Sequence, residues 1–301
     1  MSLSSSLFTI VLPAFLVMGV GGLLGYFFKP DVVSINRIGL YAAVPALLFD
    51  SLSTTELHLL SVARLAIAYI LYLLSMFFLS WLISPRVKPE RRRGFITTSI
   101  YANSANLLLP VVSFAFGEAG LERALILYAI TSVSMFTTAP IVLTGGFANG
   151  LSVKKLLGLP VIWAAAFGLG FNLLGLHLPL GLQRGIEITG QAAIPLVLMV
   201  LGMNIQRSGI SLPEALNYWG TFVSLCVGPI VAFALGYVFG LRELDLAVLT
   251  LIGAMPPAIN TFMLALEFKA DANSVAKTVI LSTLVSLLTI SVVVVFVQRL
   301  V

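Results

Sequence analysis

Two clusters of amides and prolines lie inside apolar stretches of this chain. One is Asn103-Ser-Ala-Asn106-Leu-Leu-Leu-Pro110; the other, about 150 residues later, is Pro256-Pro257-Ala-Ile-Asn260. Each asparagine side chain offers two donors and an acceptor. Asn103 and Asn106 are three apart, so a helix would present them on one face. Each proline lacks an N–H and opposes the helix around it. Pro110 thereby leaves the carbonyl of Asn106 without its helical donor, and Pro256 and Pro257 leave those of Ile252 and Gly253. In hydrocarbon such groups must be met by protein or by a water-filled cavity.

The chemistry this implies is binding. If two broken helices cross, their half-helix N-termini offer free N–H groups and partial positive charge, which suits a carboxylate without any buried cation. Paired breaks at corresponding places in two halves point to a transporter site. Asn103, Asn106, Pro110, Pro256, Pro257 and Asn260 are therefore the substrate-binding candidates. The competing reading is that the asparagines only patch the proline breaks or hydrogen-bond between helices.

The elements that must position these residues are membrane helices. Hydrophobic residues make up 59% of the chain and charged residues 10%, against roughly 25% charged in a soluble domain. Apolar tracts near the ~20 residues needed for a spanning helix recur along the chain, without the alternation of a membrane barrel. Ten spans are expected, at 7–28, 33–52, 60–84, 94–116, 121–145, 156–176, 183–205, 214–240, 244–267 and 273–297. The first lacks the basic flank and cleavage site of a signal peptide. The fold class is all-α and polytopic.

Lysine and arginine divide unequally between alternate sides. Twelve fall on one side (Lys29, Arg37, Arg86, Lys88, Arg91, Arg92, Arg93, Lys154, Lys155, Arg207, Lys269, Lys277) and five on the other (Arg64, Arg123, Arg184, Arg242, Arg299). The richer side is expected in the cytoplasm, with both termini outside, in a plasma or inner membrane. The net charge of +5 then belongs to a membrane-facing surface that touches lipid, and no nucleic-acid partner is needed to explain it. The Arg86–Arg93 cluster reads as a topology anchor, with anionic lipid headgroups as its alternative ligand.

The chain repeats itself at offsets of 147 to about 150. Leu12-Pro13 matches Leu159-Pro160, each followed by a glycine-rich run. Ala42-Ala43-Val44-Pro45 matches Ala192-Ala193-Ile194-Pro195, and the breaks in spans four and nine complete the series. Five spans per half is odd, so the second half (151–301) enters the membrane opposite to the first (1–150). Two inverted five-helix repeats are a transporter architecture with substrate held at the repeat interface.

Titratable groups are sparse inside the spans. Asp50, near the outer end of span two, is either a proton-relay candidate or an interfacial helix-end residue. Glu267 is expected to pair with Lys269 or Lys277. His58, beside Glu56, and His177 read as exposed loop residues, and Cys226, the only cysteine, as a small core residue. No metal motif, cofactor motif, catalytic carboxylate pair or Ser/His/Asp set lies in the spans, which argues against an enzyme. Hard cations need oxygen ligands and usually charge, so the absence of a central carboxylate weighs against sodium symport, though free carbonyls also bind Na⁺.

At these residues the chain resembles the auxin efflux carrier family. The matching pieces are Asn103 to Pro110, Phe116-Gly117-Glu118-Ala-Gly120-Leu121, Pro45, Pro195 through Leu201-Gly202, Pro256-Pro257 and Ser282-Thr283-Leu284. The resemblance covers essentially the whole chain. It implies a fold like the bile-acid symporters and sodium/proton antiporters, a scaffold of spans 1, 2, 6 and 7, and a transport domain of spans 3–5 and 8–10 holding the crossed helices. It also implies export of a small organic anion by an elevator-like movement, with a homodimer through the scaffold. Plant members carry a large loop between the halves, where this chain has only the short hinge Gly145–Lys155. A passive anion channel, and a proton- or sodium-coupled symporter, are the alternative functions.

Overall fold

The computed structural model describes residues 5, 7–54, 59–146, 157–207 and 212–301. Glu56, His58, Lys154, Lys155 and most of the expected hinge lie outside the described residues. The described chain is helical nearly throughout, as a backbone without water partners must be. The helices are α1 (Leu7–Phe28), α2 (Val32–Thr54), α3 (Leu59–Ile83), α4 (Pro89–Ile100), α5 (Ser104–Thr144), α6 (Pro160–Leu173), α7 (Leu180–Arg207), α8 (Ala215–Val238), α9 (Glu243–Gly253), α10 (Ile259–Glu267) and α11 (Ala272–Val297).

Seven of these are long and apolar enough to cross a membrane: α1, α2, α3, α5, α7, α8 and α11. The segment α5 has 41 residues, about twice what a bilayer requires. It is interrupted at Gly117 (φ 62°, ψ −150°), a conformation only glycine adopts readily. Exposed apolar side chains such as Leu16, Phe78, Ile188 and Val238 line the outer surface.

Local sequence explains where helices begin and end. Asp31 opens α2 by accepting from the Val33 N–H (3.1 Å), and Asp271 opens α11 by accepting from that of Ser274 (3.0 Å). Pro89 and Pro160 occupy first helical positions, where a missing N–H costs nothing. Lys29 and Gly145 close α1 and α5 in the left-handed region.

The expected spans four and nine are each divided in two, but the first break is not at its proline. The chain leaves α4 at Tyr101 and resumes at Ser104, ahead of Pro110. The α5 helix starts with a wide turn, in which the N–H groups of Leu108 and Leu109 donate five residues back to Asn103 (3.1 Å) and Ser104. Pro110 follows in the first regular turns, where the helix tolerates it. In the second half the prolines are in the break itself: α9 ends at Gly253, and Pro256-Pro257 precede α10.

Two close helix pairs use glycine. The α1 helix lies along the second half of α7, and α2 along α6. A Cβ on Gly202 would fall 1.8 Å from the Met18 carbonyl oxygen, and one on Gly21 would fall 2.1 Å from that of Met199. At the other pair, a Cβ on Gly168 would meet the Phe49 carbonyl oxygen at 3.2 Å. Only small residues permit such approach between membrane helices.

Ion pairs brace other helices at their ends. Arg91 of α4 reaches Glu214, just before α8 (2.7 Å), and Asp271, just before α11 (3.1 Å); Lys277 of α11 also reaches Glu214 (3.2 Å). Lys277, one of the two partners expected for Glu267, thus pairs with Glu214. Elsewhere Arg123 of α5 meets Asp245 of α9 at 2.6 Å, and Asp245 also accepts from the Ser61 hydroxyl of α3.

Candidate functional site: the crossing of two broken helices

The two breaks meet. Ala102 and Pro257 face each other as an isolated antiparallel bridge. The Asn103 N–H donates to the Pro256 carbonyl (2.7 Å), and the Ala258 N–H donates to that of Tyr101 (2.8 Å). Each break therefore satisfies part of the other's backbone, which is how irregular chain survives away from water. The bridge is followed on each strand by a helix start: α5 at Ser104 and α10 at Ile259.

A cavity of about 60 Å³ lies against this crossing, room for roughly four to six waters at ~10–15 Å³ each. Asn103, Asn106 and Asn260 all line it. Asn103 is 2% exposed and Asn106 7%. Asn103 caps α5, its Oδ1 accepting from the Asn106 N–H at 3.2 Å. That leaves its Nδ2 buried without a hydrogen-bond partner, and the Oδ1 of Asn106 is equally orphaned. Buried polar atoms of this kind cost roughly 1–3 kcal/mol each unless water or a ligand meets them.

The three prolines are not in the lining. Pro256 acts through its carbonyl at the bridge, Pro257 through its position opposite Ala102, and Pro110 is buried behind the first turns of α5. Asp50 lines a different, smaller cavity of about 20 Å³ with Ser53, Thr54, His177 and Gln183. His177 is exposed, as a loop residue should be.

Sequence reasoning missed the far wall. Tyr128, Thr131, Ser132 and Met135 of α5 line the cavity, with Leu40 and Tyr41 of α2 and Leu159, Pro160 and Val161 at the start of α6. The signal was present: 128, 131, 132 and 135 share one face of a helix. Thr131 is held by the Tyr69 hydroxyl at 2.6 Å and by its own bond to the Leu127 carbonyl at 2.8 Å. Among the described residues no Lys, Arg, Asp or Glu lines the cavity. The site is a neutral, amide- and hydroxyl-lined pocket with one apolar side.

The chain as a whole is similar to known membrane proteins. The model of a family described as "Membrane transport protein" matches residues 6–145 and 147–294. A Methanothermobacter thermautotrophicus protein named "Uncharacterized transporter" is 30% identical over 285 residues, covering 91% of each chain. A Rhizobium meliloti protein named "Putative malonate transporter" is 23% identical over 274 residues, covering 85% of this chain and 84% of its own. A rice protein named "Probable auxin efflux carrier component 1b" is 27% identical over 140 residues, covering 44% of this chain and 25% of its own. With both halves matched and a crossing of broken helices between them, the chain belongs to the membrane transport protein family to which the auxin efflux carriers also belong.

Proposed function

We propose that this protein is a secondary transporter of a small organic anion carrying a carboxylate, which binds at the crossing between Asn103, Asn106 and Asn260. The observation that carries this reading is the pair of buried, unpartnered amide atoms, Asn103 Nδ2 and Asn106 Oδ1, beside a cavity. The Asn103 donor and the N-terminal N–H groups of α5 and α10 suit a carboxylate, and the dipoles of those helices favour negative charge. The Asn106 acceptor suits a hydroxyl, a protonated acid or a bound water. The relative named as a malonate transporter supports the carboxylate class.

The packing supports a division into two bodies. The pairs α1–α7 and α2–α6 exchange with one another when spans 1 and 2 are matched to spans 6 and 7, as inverted five-helix repeats of 1–150 and 151–301 require. Ion pairs join α4, α8 and α11 in one set, and the Arg123–Asp245 pair with the Ser61 hydrogen bond joins α3, α5 and α9 in another; the two sets pack on each other through α3–α4, α4–α5 and α9–α11. Those helices would move together as the transport domain, past a scaffold of α1, α2, α6 and α7. The cavity is lined from both groups, so such a movement would open it alternately to the two sides. The Lys/Arg excess puts the Arg91 side in the cytoplasm. An interior-negative potential then favours export, by about 2.3 kcal/mol per charge per 100 mV.

The test is uptake of radiolabelled malonate, other short carboxylates and indole acetate into proteoliposomes with imposed potential, proton or sodium gradients. Saturable flux with counterflow is expected, and the gradient that drives it identifies the coupling. Flux that rises linearly with concentration would replace the carrier with a channel. No flux of any carboxylate by folded protein would remove the substrate class.

A further inference from the structure

A second cleft, apart from the crossing, lies at the end of α1. Gly25, Tyr26, Phe27 and Lys29 of α1 face Gln206 and Arg207 at the end of α7 across a cleft of about 620 Å³. Gly25 lets α7 come close at this end: a Cβ there would lie 3.2 Å from Gln206 Oε1 and 3.3 Å from Met203 Cα. Two cations stand at the rim of the cleft. Among the described residues Lys29 makes no ion pair, and Arg207 donates to the Pro30 carbonyl. The nearby carboxylate, Asp31, is engaged by the Val33 N–H at 3.1 Å and the Ser34 hydroxyl at 2.5 Å at the start of α2. Asp31 also feels the charge of Arg207, so two cations face one carboxylate and the cleft keeps a net positive charge.

An apolar track leads away from the cleft. Leu16, Val20, Leu23 and Phe27 are 60%, 50%, 60% and 69% exposed. Their spacing of four, three and four puts them on one face of α1, running about three turns into the membrane from the cationic end. Exposed Tyr26 and Phe28 flank it at the depth where aromatic rings sit between headgroups and hydrocarbon. A cationic cleft joined to a lipid-facing stripe matches one ligand in both its parts.

We propose that this cleft binds an anionic phospholipid from the Lys/Arg-rich leaflet. Lys29, Arg207 and the Gln206 amide hold its phosphate, and an acyl chain lies along Leu16, Val20, Leu23 and Phe27. Basic pockets between membrane helices take such headgroups. The apolar track selects a lipid over free phosphate, which would use the cleft alone. Because α1 and α7 pack through Gly21 and Gly202 just beneath the cleft, the lipid would seal the end of that helix pair.

The experiment is native mass spectrometry of the detergent-purified full chain with added phosphatidylglycerol, phosphatidylcholine or inorganic phosphate. Phosphatidylglycerol should stay bound where phosphatidylcholine is lost. The double variant Lys29→Gln/Arg207→Gln should weaken that binding at least about tenfold, and Lys29→Arg/Arg207→Lys should preserve it. Millimolar phosphate should leave lipid binding unchanged. Equal retention of the two lipids by wild-type protein would overturn the proposal even if the double variant fails to fold. Wild-type retention by a folded double variant would overturn it too, and full competition by phosphate would replace the lipid with a soluble anion.

Discussion

Asn103 and Pro256 come from opposite halves of the chain and are bonded backbone to backbone, N–H to carbonyl, at 2.7 Å. The bond forms because Asn103 has already left the helix of α4 and the Pro256 carbonyl lies ahead of α10, so neither group is committed to a helical partner. Replacing Pro256 and Pro257 together with alanine removes what stops α9 from continuing into α10, since proline is about 3 kcal/mol worse than alanine inside a helix. The carbonyls of Ile252 and Gly253 would regain helical donors, and the bridge would lose its geometry. Transport by the double alanine variant should fall more than tenfold while the protein remains monodisperse. Pro110→Ala should have a smaller effect, because the first break is upstream of that residue. Equal losses in the two variants, or none in the double variant, would show that the prolines do not set the crossing.

That difference between the halves marks what the sequence could and could not say. Proline rules find a break at Pro256-Pro257 because the deleted N–H groups are the break. They misplace the one at Tyr101–Asn103, where an ordinary tripeptide is held by backbone partners at Pro256 and Ala258 in the other half of the chain. Apolar length located the long helices, since it is a property of adjacent residues, but the helix face expected for Asn103 and Asn106 became a cap instead, with Asn103 outside α5 and its Oδ1 accepting from the Asn106 N–H. The Tyr41 and Tyr128 walls of the cavity depend on how α2 and α5 meet, which no local pattern encodes. The wide turn at Ser104–Leu108 was equally invisible, as it depends on the cap that Asn103 provides.

The two buried asparagines should separate stability from binding. Asn103→Ala loses a helix cap, worth about 1 kcal/mol, as well as a binding donor. Asn106→Leu instead deletes an orphaned acceptor and keeps a side chain of similar size, while its backbone N–H is still free to bond Asn103. Thermal unfolding in detergent should show Asn103→Ala destabilised and Asn106→Leu unchanged or slightly stabilised. Carboxylate binding should weaken about tenfold or more in both. Tight binding by Asn106→Leu would take Asn106 out of the site.

The α1–α7 contact makes a sharp contrast between neighbouring glycines. A Cβ on Gly202 meets the backbone of Met18 at 1.8 Å, and backbone cannot rotate away. Gly19 has nothing within 4 Å of its added Cβ. Gly202→Ala should lower stability by at least ~3 kcal/mol, at or beyond the upper end of ordinary overpacking, or prevent the fold from forming. Gly19→Ala should be neutral or stabilising by up to ~1 kcal/mol, through helix propensity. Melting temperatures of the two variants against wild type decide this, and similar values would refute the close approach.

Glu214 gives the pH dependence a sign. Hydrogen bonds from Arg91 and then Lys277 hold its carboxyl below the ordinary value of 4.5. A lowered folded pKa means the ionised form is the one the fold favours. Its contribution is therefore complete above pH 4.5 and is lost as pH falls through the lowered value. Glu214→Gln should then melt below wild type at neutral pH, with the difference closing as the solution is acidified. The difference should also shrink in 1 M salt, where screening acts within about 3 Å. A gap that widens on acidification would mean that Glu214 is not the acceptor joining α4 to α11.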